Sequence, residues 1–437
     1  MKSFIKIALA ATLALPVMVA CSNEEDNLFD QSSADRLNTA VKEYAQLLQA
    51  APNGWAMQYF TNDNEPGYTY ILSFDPSMAV TIAGNNQWLG NKYAEETSVY
   101  KFITDNGPVL SLSSFNNVFH ILADPIDVPT TSESELGYGH KGDYEFVVME
   151  ASDSQVRLKG KKYGQRIIMT PLPADVDWQT YLNDLTVLKN SMFNTRFEPL
   201  VLKNDKLNYS VSGMNTGVMN LVADGDDALT QTQTVNFIVT STGIRCSKTW
   251  TAKDDLFQIN EFERLEDGSL RLIVPEGEDV VITSRPLSEI YSTPGFTWRI
   301  DLDNTTGTFA TLLSKIADDT KSALKRNFTG IDLSYVSSGV PQPTYALSFR
   351  MSGSSAAAYV YGSVTATGDN TVKIAYSTTE GNNNGVRRLA DIPGLIPFIN
   401  ALAATEFTIE TENVLSPSTI RLVSKANPAD VIVVKIA

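Results

Sequence analysis

The side chains able to do chemistry are few. The 437-residue chain has two cysteines, Cys21 and Cys246, and two histidines, His120 and His140. Cys21 closes the stretch Met18-Val19-Ala20-Cys21, behind an apolar run from Ile7 to Ala20 and the basic Lys2 and Lys6. A positive start, an apolar run too short to span a bilayer and a small residue before a cysteine are the pattern of an export leader. The pattern resembles a bacterial lipobox, so the expected chemistry is acylation of the Cys21 thiol and cleavage just before it. More than one acyl chain on that residue would make the membrane attachment stable. Cys246 then has no disulfide partner, and in Gly243-Ile244-Arg245-Cys246-Ser247 it reads as a small, inert strand residue.

Catalytic constellations do not assemble. There is no HExxH, GxSxG or P-loop in the sequence, so metallopeptidase, α/β-hydrolase and nucleotide-hydrolase chemistry lack their signatures. His120, in Phe119-His120-Ile121, reads as a hydrogen-bonded strand histidine rather than the base of a triad. Gly137-Tyr138-Gly139-His140-Lys141-Gly142 spells GxGxxG. An acidic loop precedes it and a strand follows, the wrong order for a dinucleotide site. Asp301 to Gly307 resembles a calcium loop, but its glycine falls one place late and no glutamate holds the twelfth position. No cofactor and no metal is expected. The many carboxylates leave open a hydrolase whose acidic pair sequence does not locate.

Aromatic residues in polar loops are the better lead. Trp88 lies in Asn85-Asn86-Gln87-Trp88-Leu89-Gly90-Asn91-Lys92-Tyr93. A flat indole among amide side chains suits stacking on a sugar ring, and the plainer alternative is that it folds back on its own loop. The candidate ligand contacts are Trp88, Tyr93, Tyr138 and His140, with Trp250 a weaker one.

The elements that must position these residues repeat. Amphipathic helices are expected around Leu37–Leu48, Trp178–Met192 and Phe309–Leu324, each opening a segment. Tyr70-Ile71-Leu72-Ser73-Phe74 recurs as Tyr345-Ala346-Leu347-Ser348-Phe349. Glu-Phe followed by two further strands closes all three segments, at Glu145-Phe146, Glu261-Phe262 and Glu406-Phe407. The expected fold is α+β, mainly antiparallel β, as three tandem helix-plus-β-sheet modules related by internal repetition, with five to seven strands each. The boundaries expected are a signal peptide at 1–20, a lipidated acidic tether at 21–33, and modules at 34–173, 174–293 and 294–437. The middle module reads as the shortest and most diverged, and Asp391 to Ala404 as an inserted helix burying Ile396, Ile399 and Leu402.

The formal net charge is −16. Such a surface repels phosphate backbones, so no nucleic-acid partner is expected.

The lipobox together with Ala34-Asp35-Arg36-Leu37, Ala51-Pro52-Asn53-Gly54-Trp55, Gly142-Asp143-Tyr144-Glu145-Phe146 and Leu158-Lys159-Gly160-Lys161-Lys162 resembles an uncharacterised family of Bacteroidetes lipoproteins, a domain of unknown function found near outer-membrane nutrient-uptake loci. The resemblance implies a lipid-anchored protein facing the cell exterior that binds a glycan or peptide, or docks to an uptake complex, without catalysis. No catalytic residues carry over. A hydrolase acting on a surface polymer and a structural or adhesive protein are the alternatives.

Overall fold

A computed structural model describes residues 32–62, 65–105, 107–126, 137, 139–252, 258–273, 279–338 and 340–437. Side chains on its strands alternate between the two faces, as period-2 patterning requires. In Val156–Gly160, for example, Val156 and Leu158 are buried while Arg157 and Lys159 face outward. The first eight strands are β1 (Trp55–Tyr59), β2 (Tyr68–Phe74), β3 (Ala79–Gly84), β4 (Ala94–Thr104), β5 (Pro108–Leu112), β6 (Glu145–Ala151), β7 (Val156–Gly160) and β8 (Arg166–Pro171). The next are β9 (Leu200–Lys203), β10 (Asn208–Ser212), β11 (Val218–Ala223), β12 (Gln233–Thr240), β13 (Gly243–Thr251), β14 (Gln258–Arg264), β15 (Leu270–Leu272) and β16 (Val281–Thr283). The last are β17 (Thr297–Ile300), β18 (Phe328–Val336), β19 (Thr344–Met351), β20 (Tyr359–Gly368), β21 (Thr371–Gly381), β22 (Glu406–Glu410), β23 (Thr419–Ser424) and β24 (Val431–Ile436).

Each set of eight is an antiparallel meander that closes on itself, giving three barrels in series. The seams are β1 with β8 (Met57 opposite Met169), β9 with β16 (Leu202 opposite Ile282) and β17 with β24 (Trp298 opposite Ile436). An eight-stranded barrel has an interior that side chains can fill. Here Trp55, Tyr59, Tyr70, Phe119 and Phe146 fill the first and Trp298, Phe309, Phe398 and Phe407 the third. Apolar inside and charged outside is the reverse of a lipid-facing barrel. No helix among the described residues is long and apolar enough to cross a membrane.

The mainly antiparallel, three-module expectation holds, with eight strands per module in place of five to seven. The middle module has its full set, although β15 and β16 are only three residues long. The Glu-Phe repeat is in phase: Phe146, Phe262 and Phe407 all stand on the sixth strand of their barrels. The Tyr-x-Leu-Ser-Phe repeat is not, since it is the second strand of the first barrel but the third strand of the last. The cause is an insertion. Helices α1 (Ser33–Ala50), α2 (Trp178–Met192) and the short α3 (Leu287–Ser292) lead the barrels, whereas α4 (Gly307–Leu324) lies between β17 and β18 and mimics a leader in sequence. Trp298 is the true counterpart of Trp55. Each is on a first strand, and each indole Nε1 donates to a carbonyl seven residues back, Tyr291 O at 3.1 Å and Leu48 O at 2.9 Å. The inserted helix expected over Asp391 to Ala404 is α6 (Leu395–Ala404), and a further helix, α5 (Asn383–Asp391), precedes it. Leu395, Phe398, Ile399 and Leu402 are buried there, while Ile396 is exposed. His120 lies in a 3₁₀ turn, His120–Ala123, and not in a strand.

The barrels trade side chains with their neighbours. α2 lays Leu182 and Trp178 over Ala56, Ile71 and Ala83 on the outside of the first barrel, and its far end puts Met192 into the core of the second. The turn before β9 sends Phe197 into the third core, where it stacks on Phe296 at 5.3 Å. In return the β22–β23 loop inserts Leu415, fully buried, into the second core. Val414 N donates to Asp267 O (2.8 Å) and Asn413 Nδ2 to Ser191 O (2.7 Å) to hold that loop in place. We therefore expect Leu415→Ala to cost about 2–5 kcal/mol and to loosen the second barrel, not the third that carries the residue. Hydrogen exchange of peptides from 200–283 against peptides from 297–436 measures this; acceleration confined to the latter would contradict the interlock.

Candidate functional site

In a meander, alternate connections emerge at the same end of the barrel. In the first barrel the β1–β2, β3–β4 and β5–β6 connections therefore meet, while α1 covers the opposite end with Leu48, Leu47 and Tyr44. At the loop end Glu65 is the hub. Its Oε1 is 2.5 Å from His140 Nδ1 and its Oε2 accepts from Tyr68 OH at 2.8 Å. Tyr68 OH in turn accepts from Trp88 Nε1 at 3.1 Å. Trp88 and His140 pack ring on ring, centroids 4.2 Å apart and planes tilted by 42°. Asn86 accepts from the N–H groups of Trp88 and Leu89 and donates to Tyr70 OH, which orients the Trp88 turn. Burial, and after it the Glu65 charge, raises the Tyr68 phenol well above its ordinary range, so it stays protonated and donating.

Glu65 is itself held from outside the barrel. Asn236 of β12 donates through Nδ2 to Asn62 O (2.9 Å) and Glu65 O (2.6 Å), and Gly67 N donates to Phe237 O (3.2 Å). Arg245 adds a bond from its guanidinium to Gln58 Oε1 at 2.8 Å while paired with Glu261.

The fold thus brings Trp88 and His140 together. Tyr93 goes elsewhere: it packs with Trp178 and Tyr181 beneath α2 and bonds Glu95 Oε2 at 2.5 Å. Tyr138 and Cys21 lie outside the described residues. Trp250 is not in a loop but on β13, edge-on to Tyr209 at 5.5 Å. His120 is buried, accepts from Asn116 N at 3.1 Å, and is pushed down by that burial, so its place is structural. Cys246 is buried and its thiol is pushed up to about 12 by burial, which makes it inert. Glu65 and Tyr68 carry no motif. The Trp88 cluster is packed ring on ring, with Glu65, Tyr68, Asn86 and His140 Nδ1 paired within it and His140 Nε2 buried without a hydrogen-bond partner.

The open site is on the third barrel. A cleft of about 970 Å³ runs along the outer face of β18 and β19, with Asp332, Ser334, Ser348 and Arg350 on its floor and α5 along one wall. α5 is brought close by sequence: Asn382 caps it by accepting from Gly385 N (2.8 Å) and also accepts from Tyr359 N (3.0 Å), while its Nδ2 donates to Ala357 O (3.0 Å). Gly385 permits the approach, because a Cβ there would lie 1.8 Å from Tyr359 O. Arg299 and Arg350 both pair with Asp332, and Arg388 pairs with Asp391 at 2.9 Å. Among the described residues no group of three or more His, Cys, Asp or Glu side chains is placed to hold a metal ion.

Fold and sites define a class, a chain of tandem closed eight-stranded antiparallel barrels with a buried polar cluster at one end of the first and an open cleft on the third. The chain belongs to a family described as Domain of unknown function (DUF4302), whose profile matches residues 25–264. The match takes in the first barrel and the second as far as β14, and the cleft lies beyond it. No curated protein matches the sequence.

Glu65→Ala removes the acceptor of both His140 and Tyr68. The expected cost is about 1–3 kcal/mol, read as a lower denaturation midpoint, with a changed Trp88 emission in the native state. An unchanged midpoint would show that the cluster does not hold the barrel end.

Proposed function

We propose that this protein is a non-catalytic binding protein, tethered through an acylated Cys21 to the outer membrane, facing the cell exterior, and capturing a glycan or peptide for an uptake complex. The observation that carries the reading is the contrast between the two sites. The Trp88–His140 cluster is largely buried, and Glu65 and Tyr68 are paired within it. The third-barrel cleft instead offers fixed donors and acceptors to solvent in a volume at the upper end of those that take small ligands. The basic-apolar-cysteine leader and the acidic residues Glu24, Glu25 and Asp26 after it support the address.

Two measurements test this. Cys21→Ser should move the protein from the membrane fraction to the soluble fraction and abolish incorporation of labelled fatty acid. The Ser22–Ala437 fragment should bind members of a glycan and peptide panel without turning them over. Continued membrane retention of the Cys21→Ser variant would remove the anchor from the account, and turnover of any panel member would replace binding with hydrolysis.

A further inference from the structure

We propose that the third-barrel cleft is a site for a carboxylate-bearing oligosaccharide, held first by Arg387, with Arg350 and Arg388, each already paired with one aspartate (Asp332 and Asp391), supplying their remaining N–H groups; this rests on the binding reading above and specifies its ligand. The first ground is charge. In a chain of net charge −16, the cleft is lined by Arg326, Arg350, Arg387 and Arg388 against only Asp332 and Asp391. The excess is local and positive.

The second ground is how these guanidinium groups are employed. Arg326 is committed to the chain, donating to the Ser352 and Gly353 carbonyls and fixing the segment beside the cleft. Arg387 is not: its nearest acid is Asp391 at 3.9 Å and its side chain is largely exposed. Arg388 is 8% exposed, lines the cleft, and gives one N–H to Asp391, yet its buried Nε has no hydrogen-bond partner. A covered, charged donor without an acceptor is costly, and it keeps Arg388 a net cation at the cleft wall that a single aspartate does not fully satisfy. Two adjacent arginines on one helix present the planar forks that match carboxylates, which lysines would not.

The third ground selects sugar over peptide. One mode of peptide capture, addition of a strand to an open sheet edge, is closed here because β17 pairs with β24. The cleft lining is instead rich in hydroxyl-bearing residues, Ser334, Ser348, Ser354 and Ser355 among them, together with Tyr335 and Tyr359. Hydroxyls for hydroxyls, rings for the apolar face of a pyranose and arginines for carboxylates together describe a uronic acid chain.

The test is titration calorimetry of the whole chain with short oligogalacturonate, neutral dextran oligomers, sulfated chondroitin oligomers and poly-glutamate. Oligogalacturonate should bind at least tenfold more tightly than dextran, and Arg387→Gln should weaken it five- to tenfold without changing the circular dichroism. Arg388→Gln should weaken it further; if that variant does not fold, Arg387→Gln and Arg350→Gln carry the comparison. Preference for poly-glutamate or for the sulfated chain would overturn the carboxylate-sugar assignment, as would binding indifferent to Arg387→Gln. Equal binding of dextran would overturn the role of charge and leave the binding reading standing. Failure of all four ligands would overturn the carboxylate-sugar assignment, and the wider glycan and peptide panel then decides the binding reading.

Discussion

The constraint on which the rest of this structure depends is that a β-sheet must hide its edges. Each module hides them by pairing its last strand with its first. Once closed at eight strands, the barrel interior is just wide enough for side chains, and it is filled by them. No lumen is left for a ligand. Any site must then lie at a barrel end or on an outer face, and these are the two places where the polar clusters occur.

Closure leaves the ends to be covered, and the modules do this partly for one another. Phe197, from the approach to the second barrel, is in the core of the third, and Leu415, from the third, is in the core of the second. α2 is shared between the outside of one barrel and the inside of the next. Asn236, on the second barrel, pins the backbone of Glu65, on which the Trp88–His140 contact depends. The triplication yields an interlocked series and not independent beads, and a polar cluster in one module is set by a residue of its neighbour.

What was legible in the sequence was what is local. Alternation and turn residues announce hairpins, and the Glu-Phe strands were matched in correct phase because their three sixth-strand positions are followed by short connections in every copy. The amino halves do not align by sequence because α4, an insertion, has the amphipathic pattern of a leading helix, while the true leader α3 is only six residues long. Trp88 and His140 could be singled out as aromatic and titratable residues in glycine- and amide-rich loops. Glu65 could not, since it is joined to His140 across 75 residues of chain by the geometry of a barrel end. The arginine cleft was invisible for a similar reason: Arg350 and Arg387, 37 residues apart, are set side by side by the β19–β20–β21 pairing and the packing of α5 back on Tyr359. The one local hint was a pair of arginines, Arg387-Arg388, in a strongly acidic chain.

Closure is therefore the claim to test, and amide hydrogen exchange at the seams tests it most directly. If the barrels are closed, the seam strands β1 and β8, β9 and β16, and β17 and β24 exchange as slowly as strands in the middle of each sheet, such as β12 and β20. Rapid exchange at the seam strands alone would mean open sheets with free edges, and would contradict the account.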